Sequence, residues 1–349
     1  MDDVWSAENT TPSEIEAALR RLLTERHAEN EAYAPARVLN LVVIVDREWR
    51  GEILNRLAQV GRYHPSRTIV LAVEEGRTTL DAWASMASDV PPQPGAIALC
   101  REQVEIEIGP RHLPHLDTVV DPILIPELTT VVWSPHGHPE AVDSLLHLAG
   151  VVLLDSVDEP DLRAALDRVG ELSEQAYVVD LAWLRSTPWR ERIASTFDPP
   201  AWRPSLAQIS ALTVRHHPAS AVAALLLVGW MGSRLGWSPA PLVSANGSQR
   251  GKARARRQDV AVRLENDPTM PVPGLAGVTV ETASGTAISL DRAPGGLHAV
   301  RRTPKTSMEW TIMGASRGEG GILGEGVRQA LLRDPAYRPA LLAARQMVA

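Results

Sequence analysis

Tryptophan and arginine are concentrated in residues 180–198, and together they are well suited to anchoring a partner protein. This stretch holds two tryptophans, three arginines and the only phenylalanine of a chain that is 4% aromatic. Trp and Arg dominate the energetic hot spots of protein interfaces. The candidate contact residues are Trp183, Arg185, Trp189, Arg190 and Arg192. A buried helix with a salt-bridged flank has the same composition, so both interpretations stay open at this point.

Spacing within this stretch predicts which side chains face inward. Thr187 as N-cap and Pro188 at the first helical position predict a helix start. An apolar stripe with a spacing of four residues is expected to pack inward, and it consists of Trp189, Ile193 and Phe197. The arginines are predicted to point outward, namely Arg185, Arg190 and Arg192.

A second candidate site lies just before a predicted strand at residues 66–73. Arg67, His64 and the hydroxyl of Ser66 are side chains that can bind an anion or a partner. Two other interpretations remain, because Ser66 can satisfy a local turn and Arg67 can pair with an acidic neighbour.

A third candidate is the loop that follows the predicted strand at residues 128–133 and carries His136 and His138. Open α/β sheets place their ligands at the carboxyl ends of parallel strands, so this loop can line a cleft or a partner surface. Two histidines are half of a metal site, and Glu140 is expected to belong to the next helix, so we predict no metal here. An ordinary turn is the remaining alternative.

Two glycine-containing segments fall short of phosphate-binding motifs. In residues 314–326 neither frame completes the spacing Gly-x-Gly-x-x-Gly, and Glu319 and Glu325 would repel a phosphate. Residues 247–252 are one residue short of a P-loop. We therefore predict a loop at residues 314–326 and an inert core position for Cys100. Because no catalytic motif appears, we predict no catalytic residue and no cofactor.

The pattern of predicted strands and helices that position these residues differs between the two halves of the chain. Apolar runs alternate with helical patterns up to about residue 180, which predicts an α/β domain with a Rossmann-like, largely parallel sheet. Within it, alternation at residues 103–108 predicts an antiparallel, half-exposed edge strand. Strand-like runs broken by turn residues follow, which predicts a second α+β domain with an antiparallel sheet. We place the domains at residues 1–203 and 204–349.

Composition excludes some function classes. The chain has 349 residues, a net charge of −7 and a pI near 5.8, which argues against a nucleic-acid binder, although a local basic patch can hide in this average. A single cysteine excludes an internal disulfide and favours a cytoplasmic protein. The most apolar stretch, residues 219–235, is shorter than a bilayer span, so we predict a core helix and no membrane partner.

Five segments together resemble the OpcA family, the glucose-6-phosphate dehydrogenase assembly proteins, and its actinobacterial branch in particular. The matching segments are residues 61–67 (GRYHPSR), 127–133 (ELTTVVW), 180–185 (DLAWLR), 187–191 (TPWRE) and 229–237 (GWMGSRLGW). They span most of the chain, and their order and spacing make the match more specific than any single motif.

The resemblance implies a non-catalytic assembly factor or allosteric activator that binds glucose-6-phosphate dehydrogenase and supports the oxidative pentose phosphate pathway. It favours a surface position for Trp183, Arg185, Trp189 and Arg190, because an assembly factor needs such anchors. The cyanobacterial branch is associated with thiol-redox control, which Cys100 alone cannot provide through an internal disulfide. The alternative is a sugar-phosphate-binding enzyme or metabolite sensor that gathers residues 64–67 and the His136–His138 loop around a phosphate.

Overall fold

The apolar runs of the sequence form the strands of two mixed sheets in the computed structural model of this protein. The structure describes residues 3–29, 33–35, 37–60, 65–88, 98–245, 247–314 and 318–348. The chain divides into two units, each discontinuous in sequence: Met1–Leu154 with Glu174–Val179 and Leu323–Leu332, and Asp155–Ser173 with Asp180–Ile322 and Arg333–Ala349. The predicted domain boundary between residues 203 and 204 stays a prediction.

The strands and helices have the following bounds. The strands are β1 (Asp3–Ala7), β2 (Tyr33–Pro35), β3 (Leu39–Asp46), β4 (Ser66–Val73), β5 (Asp81–Ser88), β6 (Ala98–Ile108), β7 (Thr130–Trp133), β8 (Val151–Leu154), β9 (Tyr177–Asp180), β10 (Ile209–His216), β11 (Ser238–Pro239), β12 (Val243–Ala245), β13 (Ser248–Arg254), β14 (Asp259–Asn266), β15 (Leu275–Thr282), β16 (Ala287–Ala293), β17 (Gly296–Arg302) and β18 (Ser307–Met313). The helices are α1 (Pro12–Glu29), α2 (Arg50–Val60), α3 (Asp117–Val120), α4 (Pro139–Leu145), α5 (Leu162–Gln175), α6 (Leu181–Arg185), α7 (Thr187–Phe197), α8 (Ala221–Leu235), α9 (Gly318–Leu332) and α10 (Tyr337–Arg345).

The first sheet has the strand order β1-β5-β6-β4-β3-β7-β8-β9, with β2 paired to β6. Strand β3 is parallel to both of its neighbours, and parallel pairing continues from β4 to β6 and from β7 to β8. If β1, β2 and β5 are left out and β3 is counted first, the remaining six strands have the doubly wound order 3-2-1-4-5-6. Strands β3 and β4 are buried along most of their length, as in a parallel sheet covered on both faces. The predicted Rossmann-like α/β sheet is confirmed.

The edge position predicted for residues 103–108 is wrong, although the predicted antiparallel pairing is present, with β5. These residues belong to β6, which lies inside the sheet between β4 and the antiparallel β5. The alternating glutamates are paired rather than solvated. Glu107 is 4% exposed, and its carboxylate accepts hydrogen bonds from Arg50 Nη1 at 3.2 Å and from Arg77 Nη2 at 2.6 Å. Alternation shows that one face of a strand is polar, and arginines from other elements decide whether that face is buried.

The second sheet has the order β11-β13-β14-β10-β15-β16-β17-β18, with β12 paired to β13. Its strand pairs are antiparallel except that β10 is parallel to β14. Strands β15 to β18 form a meander, and Gly285 and Gly295 supply the positive φ angles of 81° and 73° in its first two turns. The predicted second sheet is confirmed, and it is mostly antiparallel.

The starts of helices α1 and α9 have different local causes. Glu14 N donates to Thr11 Oγ1 at 3.3 Å and Thr11 N donates to Glu14 Oε2 at 2.9 Å, which is a reciprocal capping box at the start of α1. The loop predicted at residues 314–326 is wrong from residue 318 onward, because α9 begins there. Apolar side chains at helical spacing are buried in α9 and outweigh its glycines, namely Ile322, Leu323, Val327 and Ala330.

Helix α8 is the apolar core helix that the sequence predicted. In the described part of the chain, Pro218–Leu235 is the one stretch long and apolar enough to cross a membrane, and 61% of it is buried inside the protein. It packs against α10 and strand β10. The approach to α10 is close at Gly229, where a Cβ atom would lie 2.2 Å from the carbonyl oxygen of Ala340.

Gly229→Ala is therefore expected to lower the free energy of unfolding by about 2–3 kcal/mol, because α10 must move away from α8. Gly232→Ala on the same helix is the matched control, since its Cβ would meet nothing closer than 3.8 Å. Alanine is the better helix former by up to about 1 kcal/mol, so this variant should be as stable as the native chain or more stable. Urea unfolding of both variants tests the pair, and equal stabilities would contradict the close contact.

Candidate functional site

The carboxyl ends of β3 and β7 form the point where the strand order of the first sheet reverses. This is where open α/β sheets bind their ligands, usually with a phosphate at the first helix N-terminus. Strand β3 ends at Asp46, and a short 3-10 turn, Arg47–Trp49, leads into α2. The loop after β7 carries His136 and His138 and leads into α4. The predicted position of the histidine loop at the end of a parallel strand is confirmed.

The turn after β3 and the loop after β7 contact each other through two pairs of side chains. His138 Nε2 lies 3.0 Å from Asp46 Oδ1, and the rings of His136 and Trp49 are 5.4 Å apart at 49°. His138 has a φ angle of 58°, a left-handed conformation that costs a residue with a side chain on the order of 1 kcal/mol. The hydrogen bond to Asp46 helps to hold it there. We call this pair of contacts the Asp46–His138 clasp.

A cavity of about 480 Å³ adjoins the clasp, and we call it the switch-point cavity. Its lining includes Arg47 and His138 together with five carboxylates, which are Asp46, Glu48, Glu74, Glu75 and Glu140. A hydrogen bond from Arg77 holds the pKa of Glu74 below its usual value, so this carboxylate stays charged. Carboxylates at a helix N-terminus oppose a bound phosphate. Within the described residues, no three His, Cys, Asp or Glu side chains are grouped to hold a metal ion.

The anion site predicted around Arg67 is not assembled. Arg67 is 5% exposed, and its guanidinium contacts Glu102 Oε2 at 2.8 Å, Glu16 Oε2 at 3.2 Å and the Ile123 carbonyl at 2.7 Å. Ser66 is also buried, and its hydroxyl lies 3.0 Å from that of Thr68. The acidic-neighbour interpretation of Arg67 therefore holds, and His64 lies outside the described residues.

The pairing of β4 with β3 places Arg67 far from the histidine loop. Arg67 is level with Asn40 of β3, whereas the clasp is at Asp46. Six residues of strand span about 20 Å. Ser66 and Arg67 thus lie at the amino end of the sheet and His136 and His138 at its carboxyl end. The proposed phosphate site that combined them is wrong, because the strands run parallel.

The Trp–Arg stretch is largely buried in the second unit. The inward stripe is confirmed, since Trp189, Ile193 and Phe197 are 3–4% exposed. The N-cap of α7 is Ser186, one residue before the predicted Thr187, and Ser186 is also the C-cap of the short helix α6. Trp183 is 2% exposed, and its indole Nε1 donates to Asp334 Oδ2 at 2.8 Å. The surface position expected for the two tryptophans is therefore wrong.

Arg190 does not point outward as predicted. It is 8% exposed, and its guanidinium carbon lies 3.4 Å from the centre of the Trp183 ring. It donates to Ser186 Oγ at 3.2 Å, Thr187 Oγ1 at 2.8 Å and the Trp183 carbonyl at 3.2 Å, and it faces Asp334 at 3.6 Å. Burial lowers the pKa of Arg190 to about 10, although Asp334 opposes this shift.

The other two arginines are half-buried rather than free at the surface. Arg185 pairs with Asp155, and Arg192 Nη1 lies 3.7 Å from Glu191 Oε2. Of the five residues predicted from this stretch, Arg185 and Arg192 are thus the ones with partly exposed side chains. Whether either contacts a partner stays a prediction.

Asp180 is the residue that the sequence analysis missed. It ends β9, is 1% exposed and accepts from Ala182 N at 2.9 Å as the N-cap of α6. It also accepts from Ser156 N at 3.1 Å, Ser156 Oγ at 2.7 Å and the Tyr337 hydroxyl at 2.8 Å. Burial, followed by the charge of Asp155, raises the pKa of Asp180 to about 6. An aspartate between an apolar strand and a helix was the available signal.

A second cavity, of about 410 Å³, lies in the second unit beside His216. His216 is 2% exposed, and burial lowers its pKa, which keeps the ring neutral. The neighbouring His217 caps the 3-10 turn that precedes α8, accepting from Ala219 N at 3.1 Å.

Comparison with known protein families identifies the family of this chain. Two families match it, and they are described as the N-terminal and the C-terminal domain of a glucose-6-phosphate dehydrogenase subunit. Residues 58–171 match the family of its N-terminal domain, and residues 176–341 match the family of its C-terminal domain. The chain belongs to the OpcA family.

The OpcA-family chain is similar to curated cyanobacterial proteins named putative OxPP cycle protein OpcA. It is 26% identical to the Synechococcus elongatus protein over 68% of this chain and 52% of that protein. It is 28% identical to the Synechocystis protein over 40% of this chain and 30% of that protein, and 26% identical to the Nostoc punctiforme protein over 52% and 40%. The matched part spans about half the length of these relatives or less.

Among solved structures, the OpcA-family chain is similar to KijD10, a 3-ketoreductase from Actinomadura kijaniata in complex with TDP-benzene and NADP. The open conformation superposes with a TM-score of 0.51 at 10% identity, over 89% of this chain and 95% of that one. The K102E mutant gives a TM-score of 0.51 at 9% identity, over 88% and 95%. At these identities the similarity shows the fold alone.

Proposed function

We propose that this chain is a non-catalytic protein that binds glucose-6-phosphate dehydrogenase, assists its assembly or activates it allosterically, and so supports the oxidative pentose phosphate pathway. The observation that carries the proposal is the match of two consecutive regions to families named as subunit domains of that dehydrogenase. The names of the cyanobacterial relatives agree with the pathway. We propose the cytoplasm as its location, because the dehydrogenase would meet it there.

The first βα turn supports a non-catalytic role within this dinucleotide-binding type of fold. A bound pyrophosphate needs glycines in this turn, so that the backbone can approach it, and a favourable helix N-terminus. Here the turn after β3 reads Asp46-Arg47-Glu48-Trp49-Arg50. Its side chains are large, and Glu48 and Glu52 place carboxylates in the first helical turns. The clasp between Asp46 and His138 further ties this turn to the loop where a ligand would enter.

The alternative function, a sugar-phosphate-binding enzyme or metabolite sensor, receives less support from the same geometry. Arg67 is engaged by Glu102 and Glu16 at the amino end of the sheet. Five of the ten residues that line the switch-point cavity at the carboxyl end carry carboxylates, which repel phosphate. A sugar phosphate is therefore not the ligand that this cavity favours.

Titration of purified dehydrogenase with this chain tests the proposal. We expect a complex of higher mass by light scattering and a change in the apparent KM for glucose 6-phosphate or in kcat. The chain alone should form no NADPH from glucose 6-phosphate and NADP. An unrelated acidic protein at equal concentration is the control for non-specific effects. Unchanged kinetics together with an unchanged mass would refute the proposal, and turnover by the chain alone would refute the non-catalytic part.

A further inference from the structure

The hairpin formed by β13 and β14 carries a concentration of positive charge on an otherwise acidic chain. Residues 248–265 contain six cations and two carboxylates, whereas the whole chain has a net charge of −7. Five of the six cations are arginines. We call these six side chains the basic hairpin: Arg250, Lys252, Arg254, Arg256, Arg257 and Arg263.

The strands place this charge on the open face of the second sheet. In β13 the exposed cations at positions 250, 252 and 254 alternate with buried Ala253 and half-buried neighbours. In β14 the exposed Arg263 lies between Val262 and Leu264, which are each 1% exposed on the opposite, helix-covered face. Arg256 and Arg257 are exposed in the turn that joins the strands. All six cations are therefore accessible to a partner.

The fold itself does little to neutralise this charge. Within the described residues, Lys252 is the one member of the basic hairpin with a carboxylate within 4.0 Å, Asp259 at 3.5 Å. Arg250 lies directly opposite Arg263 across the strand pair. Like charges directly opposite each other destabilise a strand pair. Ion pairing within the chain therefore does not account for these arginines.

We propose that the basic hairpin is the docking surface for an acidic patch on glucose-6-phosphate dehydrogenase, an inference that rests on the proposed function. Arginine forks match carboxylates bidentately, and arginine is enriched at protein interfaces while lysine is depleted. A nucleic acid fits less well. Residues 248–265 contain no aromatic side chain on which bases can stack. The acidic remainder of the chain would also repel a long polyanion.

Two single charge reversals, Arg250→Glu and Arg263→Glu, test this docking surface. Each is expected to raise the Kd for the dehydrogenase by about tenfold or more at low salt, and by less at high salt, where charges are screened. Each also converts the Arg250–Arg263 repulsion into an opposite-charge pair, so the midpoint of thermal unfolding should stay the same or rise. Weaker binding by a variant that is at least as stable cannot result from misfolding.

Arg338→Glu is the matched control, because Arg338 is an exposed arginine of α10 and the net charge changes by the same amount. Its Kd should stay within about twofold of the native value. If the native chain binds and both hairpin variants bind equally well, the docking inference alone is wrong. If the native chain forms no complex, the proposed function fails and the inference with it. A labelled single-stranded oligonucleotide that binds the native chain but not Arg263→Glu, with dehydrogenase affinity unchanged, would assign the hairpin to nucleic acid and overturn the inference.

Discussion

Replacing Asp180 by alanine is expected to lower the free energy of unfolding at acid pH by about 4–5 kcal/mol, since four donors lose their acceptor in a buried site. The donors are Ser156 N, Ser156 Oγ, Ala182 N and the Tyr337 hydroxyl, at 2.7–3.1 Å. The two backbone N–H groups cannot turn to another acceptor, whereas the hydroxyls can. Urea unfolding followed by tryptophan fluorescence measures the loss. A variant as stable as the native chain would contradict this account.

Asp180→Asn is the matched variant, because it keeps the shape and an oxygen for the two backbone donors. At acid pH its stability should lie within about 1 kcal/mol of the native value, since the two hydroxyls can turn to accept from the amide. Comparison with this variant isolates the effect of the Asp180 charge on the unfolding free energy. The other titrating groups are common to both proteins, so the difference between their unfolding free energies reports on this carboxyl.

The raised pKa of Asp180 makes the folded chain less stable as pH rises. The pKa of Asp180 is about 6 in the folded chain, against an ordinary value of 3.8. As pH rises between these values, the unfolded chain releases the proton and the folded chain keeps it, so folding loses stability. The loss amounts to about 3 kcal/mol and is complete above pH 6. Relative to Asp180→Asn, the native chain should thus weaken between pH 4 and 6 and stay level above that. A difference that is flat across this window would refute the raised pKa.

The second large effect is expected from Arg190→Ala, with a loss of about 3 kcal/mol of unfolding free energy. The buried guanidinium stacks on Trp183 at 3.4 Å and donates to three oxygens of the α6–α7 segment. A desolvated cation–π contact contributes about 2 kcal/mol, and truncation adds a cavity and weakens the environment of Asp334. Asp334 keeps its hydrogen bonds from Trp183 Nε1 and Ala336 N, which limits the damage.

Arg192→Ala is the control on the same helix, because Arg192 is half-buried and its ion pair is a loose one, with Glu191 at 3.7 Å. Its expected loss is below about 1 kcal/mol. Thermal and urea unfolding of both variants, together with their affinity for the dehydrogenase, complete the test. If Arg190→Ala unfolds like the native chain but no longer forms the complex, the interpretation of Arg190 as a surface anchor is correct after all.

Much of the architecture followed from the sequence, because short-range periodicity and turn chemistry act locally. The apolar runs predicted β4, β7 and the two classes of sheet, since a buried parallel strand needs apolar side chains on both faces. The histidine loop was placed correctly, because a loop after a parallel strand must lie at the carboxyl end of the sheet. The stripe of Trp189, Ile193 and Phe197 was assigned inward by helical spacing alone.

Only the tertiary structure decided the fate of the charged side chains. Spacing shows that Arg190 leaves its helix on another side than Trp189, but Trp183 and Asp334 cover that side, and Asp334 is 144 residues away in sequence. Arg67 is likewise buried because Glu16 and Glu102 reach it from other elements. A charge is buried where remote partners compensate its desolvation, and left exposed where none do, as in the basic hairpin. The sequence therefore determined the family and the layers of the fold, whereas long-range pairing determined which arginines remain free to meet a partner.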